Sequence, residues 1–195
     1  MKPIPLILSF LPLIAFSLLA RLLPAADFGV AALVPAVIAA IAMVAVRPAW
    51  PPKIINACSL LLFTALTVAG FTSGTGHDRW LATWAGAGVA LVIGLVIVAL
   101  IPVMPFTEQF ARQSTPAAYW GSPTFKRINR VLSTGWGLAI VAIGLSRLAA
   151  AAIDQHAASH RLTDLLLGTA VPVVIIVYML KFTKSYPDRV TGKEG

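Results

Sequence analysis

Glu108 and Arg112 stand four residues apart, a spacing that places an acid and a base side by side on one face of a helix. Thr107 and Gln109 flank the acid, and Trp120, Lys126, Arg127, Asn129 and Arg130 follow in the same stretch. Fixed hydrogen-bond groups, an aromatic plate and several cations together suit a polar pocket for a lipid headgroup, most readily an anionic one, or for a charged segment of a membrane partner. The plainer alternative is a surface ion pair contributing well under about 1 kcal/mol, with the other bases serving as anchors to anionic lipid.

A second cluster, Asp154, His156 and His160, has two histidines four apart and would share a helical face if that segment were helical. It lacks a cysteine or another strong third ligand nearby, so it reads as a solvated loop whose following residues, Thr163 and Asp164, open the next helix. No Ser/His/Asp, Cys/His or paired-carboxylate arrangement suggests a hydrolase, and no glycine-rich phosphate loop is present. Cys58 is the one cysteine, sits in an apolar run and reads as a packing residue. These patterns predict a protein that is not an enzyme and that carries no cofactor and no metal.

The elements that must position these groups are apolar. Hydrophobic residues make up 58% of the 195, and charged residues 11%, against about 25% in soluble domains. So few charges cannot cover a globular surface. Runs near the roughly 20 residues needed to cross a bilayer recur at Ile4 to Leu23, Phe28 to Val46, Ile54 to Thr72, Leu81 to Met104, Val131 to Ile153 and Leu162 to Phe182. The fold class expected is an all-α, polytopic transmembrane bundle of about six spans in a single domain, without a soluble domain or an internal repeat. The first run follows Lys2 and precedes Ala25 and Ala26, as in a signal peptide, but Pro24 and Arg21 disfavour cleavage and it reads as a retained span.

Lys and Arg are spread unevenly between alternate loops. With the amino terminus inside, the inner segments hold Lys2, Arg47, Lys53, Arg112, Lys126, Arg127, Arg130, Lys181, Lys184, Arg189 and Lys193, eleven of the fifteen. The outer segments hold Arg21, Arg79, Arg147 and Arg161. The positive-inside rule then places both termini in the cytoplasm. The same rule accounts for the net charge of +8 without nucleic acid as a partner. No ionisable residue lies near the centre of a span, which argues against a proton-coupled transporter.

The longest loop, 105–130, is cytoplasmic in this reading. Pro105, Pro116 and Pro123 divide it into two short helices, about Phe106 to Ser114 and Thr124 to Asn129, the second running into the fifth span. Phe106, Phe110, Tyr119, Trp120 and Phe125 alternate with bases there, the composition of a segment at headgroup depth. Within the spans, Ala32, Ala36 and Ala40 form a small-residue stripe and Gly70 with Gly74 a GxxxG pair, both expected to serve internal packing before dimerisation. Pro12, Pro35, Pro102 and Pro172 lie inside spans or near their ends, where neighbours can satisfy the carbonyls they free.

The opening Phe10-Leu11-Pro12-Leu13 and the segment from Pro105 through Trp120 and Asn129 to Trp136 resemble the bacterial intracellular septation protein A family of small multispan inner-membrane proteins. The resemblance covers about a third of the chain and implies a role in envelope maintenance or septation with no known reaction. Three functional expectations follow: an inner-membrane envelope protein engaging lipid headgroups or membrane partners through 105–130, an accessory subunit of a larger membrane complex or homo-oligomer, and a lipid or small-solute transporter. The third needs a polar cavity reaching the midplane.

Overall fold

A computed structural model describes residues 8–45, 53–154 and 160–192. Every regular element among these residues is helical. The helices are α1 (Leu11–Leu22), α2 (Phe28–Ala45), α3 (Ile54–Thr72), α4 (Thr75–Leu100), α5 (Phe106–Ala111), α6 (Pro123–Asp154), α7 (His160–Thr163) and α8 (Val171–Thr191). A π-helical segment, Asp164–Ala170, joins α7 to α8, and single 3-10 turns cover Ala25–Asp27 and Ala117–Tyr119. Among the described residues five helical stretches are long and apolar enough to cross a membrane: Ala25–Val44, Ile54–Thr72, Gly76–Leu100, Pro123–Ile153 and Asp164–Thr191.

Only part of the expected first span falls within the described residues. Its described part is the 12-residue α1, about 18 Å of helix, and residues 1–7 lie outside the described residues. α1 stops because Pro24 pushes Leu23 out of the helical region, and Leu23 is extended at φ −96°, ψ 147°. Three other boundaries also move. The fourth expected span ends at Leu100 and not at Met104, the fifth begins at Pro123 and the last runs on to Thr191. α6 starts early because Ser122 and Pro123 form a helix-start signal: the Ser122 hydroxyl accepts the Phe125 N–H at 3.2 Å, and Pro123 has no N–H to leave unpaired. α8 ends where Gly192 turns left-handed at φ +68°.

The chain divides between Ala90 and Leu91 into two compact units. In the first, Phe16 meets Phe28 edge-on at 6.0 Å and Phe63 at 5.1 Å, and all three rings are buried. Ala32 and Ala36 are buried and Ala40 is half-buried, so the alanine stripe is internal. Gly70 is where α3 presses on α2: a Cβ there would stand 2.7 Å from the Gly29 Cα. Gly74, the other half of the GxxxG pair, has open space around it, so the pair is one contact and not a seam.

In the second unit the tail of α4 lies against α6 through glycines. A Cβ on Gly94 would stand 2.8 Å from the Val141 backbone nitrogen, and one on Gly144 would stand 2.9 Å from that of Leu91. α6 and α8 run antiparallel, tied by the Trp136 indole N–H donating to Thr183 Oγ1 at 2.9 Å and by Ser146 Oγ donating to the Leu167 carbonyl at 2.7 Å.

The second of these bonds follows from a local defect. In the π register the Val171 N–H reaches back five residues to the Leu166 carbonyl. The next donor in that register would be residue 172, and it is a proline without an N–H. The carbonyl that Pro172 leaves without a donor is that of Leu167, the one Ser146 satisfies.

Candidate functional site

The residues singled out by sequence fall in the second unit, on α5, the turn after it and the first turns of α6. α5 is six residues long and has Pro105 at its N-cap, a residue with no side-chain acceptor for the free N–H groups of the first turn. Ser133, on α6, fills that role: the Thr107 N–H donates to Ser133 Oγ at 3.1 Å. Thr107 Oγ1 donates to the Asn129 carbonyl at 2.9 Å, and the two hydroxyls lie 2.9 Å apart. Because the Thr107 proton is committed to Asn129, the bond between hydroxyls must run from Ser133 to Thr107. Thr107 and Ser133 are fully buried, and the cycle leaves neither with an unmet need.

Asn129 continues this polar cluster. Its amide Nδ2 donates to the Phe125 carbonyl at 2.9 Å, one turn back on α6, while Oδ1 is buried without a partner. Gln109 is half-buried. Phe106 and Phe110, stacked edge-on at 6.1 Å, and Phe125 are all buried. This corrects the headgroup-level expectation for these three rings: spaced four apart on α5, Phe106 and Phe110 share a face and serve as core. Tyr119 is exposed and Trp120 half-buried, so only these two aromatics of the loop reach its surface.

One further correction concerns the loop. α5 ends at Ala111 and not at Ser114, because the Gln113 and Ser114 N–H groups take the three-residue bonds to Phe110 and Ala111 that tighten a closing turn before Thr115 and Pro116. Residues 123–130 are the opening turns of α6, so the second short helix does run on into the fifth span, as its position suggested.

Glu108 and Arg112 do pair, but not as an ordinary surface pair. Arg112 Nη2 and Nε donate to the same oxygen, Glu108 Oε1, at 2.6 and 3.0 Å. The Glu108 side chain is only 10% exposed against 43% for Arg112. Under the guanidinium lies the Trp120 ring, 4.9 Å from Cζ to its centroid, and that ring is itself held by its indole N–H donating to the Thr115 carbonyl at 2.9 Å. Arg112 is thus fixed on two sides, and Nη1 has no hydrogen bond among the described residues. A guanidinium held in this way offers its remaining N–H donors to an anionic oxygen without first losing rotamer freedom.

Lys126, Arg127 and Arg130 are exposed on the first turns of α6 and make no ion pair among the described residues. The candidate set therefore separates into a buried part (Thr107, Asn129), a stack running from the buried Glu108 through the exposed Arg112 to the half-buried Trp120, and three exposed cations on the first turns of α6, with Gln109 half-buried. Sequence reading missed Ser133, Ser122 and Thr115. Ser133 was open to recognition, since it follows Asn129 by four residues and so shares its helical face.

His156 lies outside the described residues, as do the side chains of Asp154 and His160. Among the described residues no three His, Cys, Asp or Glu side chains come together as a metal-binding group. Family models, curated proteins and solved structures give no match to this chain. The reading of function rests on the geometry.

Proposed function

We propose that this chain is a non-enzymatic, multi-pass protein of the bacterial inner membrane, crossing it six times with both termini in the cytoplasm, and acting in envelope maintenance or septation. Its working surface is the 105–130 segment, where Arg112, held by Glu108 over Trp120, meets the anionic part of a lipid headgroup or of a membrane partner. The observation that carries the reading is this fixed, half-exposed guanidinium, in a segment whose three other cations, on the first turns of α6, are exposed and make no ion pair among the described residues. The five membrane-length helices and the short apolar α1 support the crossings, and the uneven distribution of Lys and Arg supports the orientation. The likeness to the septation protein A family supports the envelope role.

Two measurements test it. Reporters fused after Gly195 and near Gly76 read the orientation, and a periplasmic signal from the carboxyl-terminal fusion refutes it. Arg112→Ala tests the surface: normal expression with a lost envelope phenotype and lost copurifying lipid or protein supports the reading, whereas full complementation rejects it.

One observation favours a second reading, an accessory subunit of a larger complex. The stretch Asp164–Thr191 is the least enclosed of the five membrane-length helices, and Val173, Val174, Val177 and Tyr178 all stand exposed on it. Recovery of a stoichiometric membrane protein with the chain in mild detergent separates this reading from the first.

A further inference from the structure

Two helices of the second unit are longer than a bilayer requires. α6 has 32 residues and the stretch 164–191 has 28, or about 48 and 42 Å of helix against about 30 Å of hydrocarbon. The bonds from Trp136 to Thr183 and from Ser146 to Leu167 set them antiparallel and in register. Residues 123–135 of α6 and 184–191 of α8 therefore overshoot on the same side of the Trp136–Thr183 bond.

That shared end is cationic. Lys126, Arg127 and Arg130 on α6 and Lys184 and Arg189 on α8, with Lys181 two residues short of Thr183, are all exposed, and none of the six forms an ion pair among the described residues. The one acid in these two segments is Asp188. Depth is marked by a ladder of rings on α8: Tyr178 lies parallel to Phe182 at 6.3 Å, and Phe182 meets Tyr186 at 5.2 Å. Tyr178 is 66% exposed and Tyr186 half-buried, and tyrosines, apolar in body and polar at the tip, settle where hydrocarbon gives way to headgroups. Lys181 and Lys184 sit between those rings, and the remaining cations lie a few turns further out, within reach of a phosphate plane by side-chain length and one Debye length of about 8 Å.

We propose that the paired ends of α6 and α8 form one docking face for anionic phospholipid headgroups, so that the chain gathers anionic lipid around this edge. The inference rests on the inner-membrane reading above and extends it to α8, whose end takes no part in the 105–130 surface. An acidic soluble protein fits the charge but not the rings, which need an interface.

The test uses the full chain reconstituted in nanodiscs of mixed phosphatidylglycerol and phosphatidylcholine, with the lipid retained on re-extraction into mild detergent read by mass spectrometry. Phosphatidylglycerol should be enriched over its input ratio, and 0.5 M salt should reduce the enrichment. The triple change Lys181→Gln, Lys184→Gln and Arg189→Gln should lower it roughly fivefold or more, as should Lys126→Gln, Arg127→Gln and Arg130→Gln. Lysine–arginine exchanges at the same six positions should preserve it. Equal retention of both lipids by the wild type overturns the proposal, as does an α8 triple variant that keeps full enrichment at wild-type helicity. An Arg112→Ala protein that complements fully while enrichment persists removes the 105–130 reading and leaves this one standing.

Discussion

Thr107 and Ser133 cap each other across two helices: the Thr107 N–H donates to Ser133 Oγ, and the Ser133 hydroxyl donates back to Thr107 Oγ1. A six-residue helix has almost no stability of its own, because its few internal bonds barely repay nucleation. α5 therefore holds its place through this exchange and through Phe106 and Phe110, and the position of Arg112 depends on both.

Ser133→Ala should strand the Thr107 N–H in a buried site and cost about 1–3 kcal/mol. Thermal unfolding in detergent reads the loss, and faster exchange of the Thr107 amide locates it at α5. Unchanged exchange at Thr107 would mean that α5 is held by its phenylalanines alone.

The π segment gives a sharper test, because its defect and its remedy lie on different helices. Ser146→Ala leaves the Leu167 carbonyl without a donor and should destabilise by about 1–2 kcal/mol. Pro172→Ala supplies an N–H to that same carbonyl, so Ser146→Ala should cost much less in the Pro172→Ala background. Equal costs in both backgrounds would sever the link between Ser146 and the missing proline donor.

Glycine contacts predict opposite signs at different positions. Gly94→Ala and Gly70→Ala place a methyl under 3.0 Å from backbone atoms of Val141 and Gly29, which cannot yield without moving a helix, and each should destabilise by roughly 1–3 kcal/mol. Gly88→Ala meets nothing within 4 Å and should be neutral or stabilising by about 0.5–1 kcal/mol through helix propensity. Melting temperatures of the three variants in one detergent decide the matter, and a common sign for all three contradicts it.

Hydropathy alone was enough to place the five membrane-length helices found among the described residues, because twenty apolar residues have one stable solution in lipid. The alanine stripe on α2 was legible for a similar reason: small residues at four-residue spacing permit close approach wherever they face protein. The burial of Phe106, Phe110 and Phe125 was not read, since aromatics among bases have the same composition at a headgroup plane and over a small core. Their phase on the helix carried the distinction, and the α5 ring pair shows it. The π segment was beyond reach, because Pro172 alone does not say which register the residues before it adopt, and so which carbonyl it leaves for a hydroxyl from another helix. Glu108 and Arg112 were legible as a pair from their spacing, but the Trp120 plate beneath them depends on the turn that Pro116 introduces.

The last prediction separates charge from geometry at Arg112. A lysine there keeps the positive charge but loses the planar fork that puts two donors on Glu108 Oε1, and it stacks less well on Trp120. If the surface needs only a cation near an anionic leaflet, Arg112→Lys should behave as wild type and Arg112→Ala should fail. If it needs a guanidinium held in one direction, Arg112→Lys should lose most of the function, and Trp120→Leu, which leaves every charge in place, should lose part of it. Protein level and helicity should stay at wild type in both, because a lysine keeps a cation beside the buried Glu108 and Trp120 is only half-buried. The proposed geometry requires the second pattern, read as the envelope phenotype together with copurifying lipid and protein. Full activity of Trp120→Leu would reduce the stack to packing and leave charge as the only contribution of Arg112.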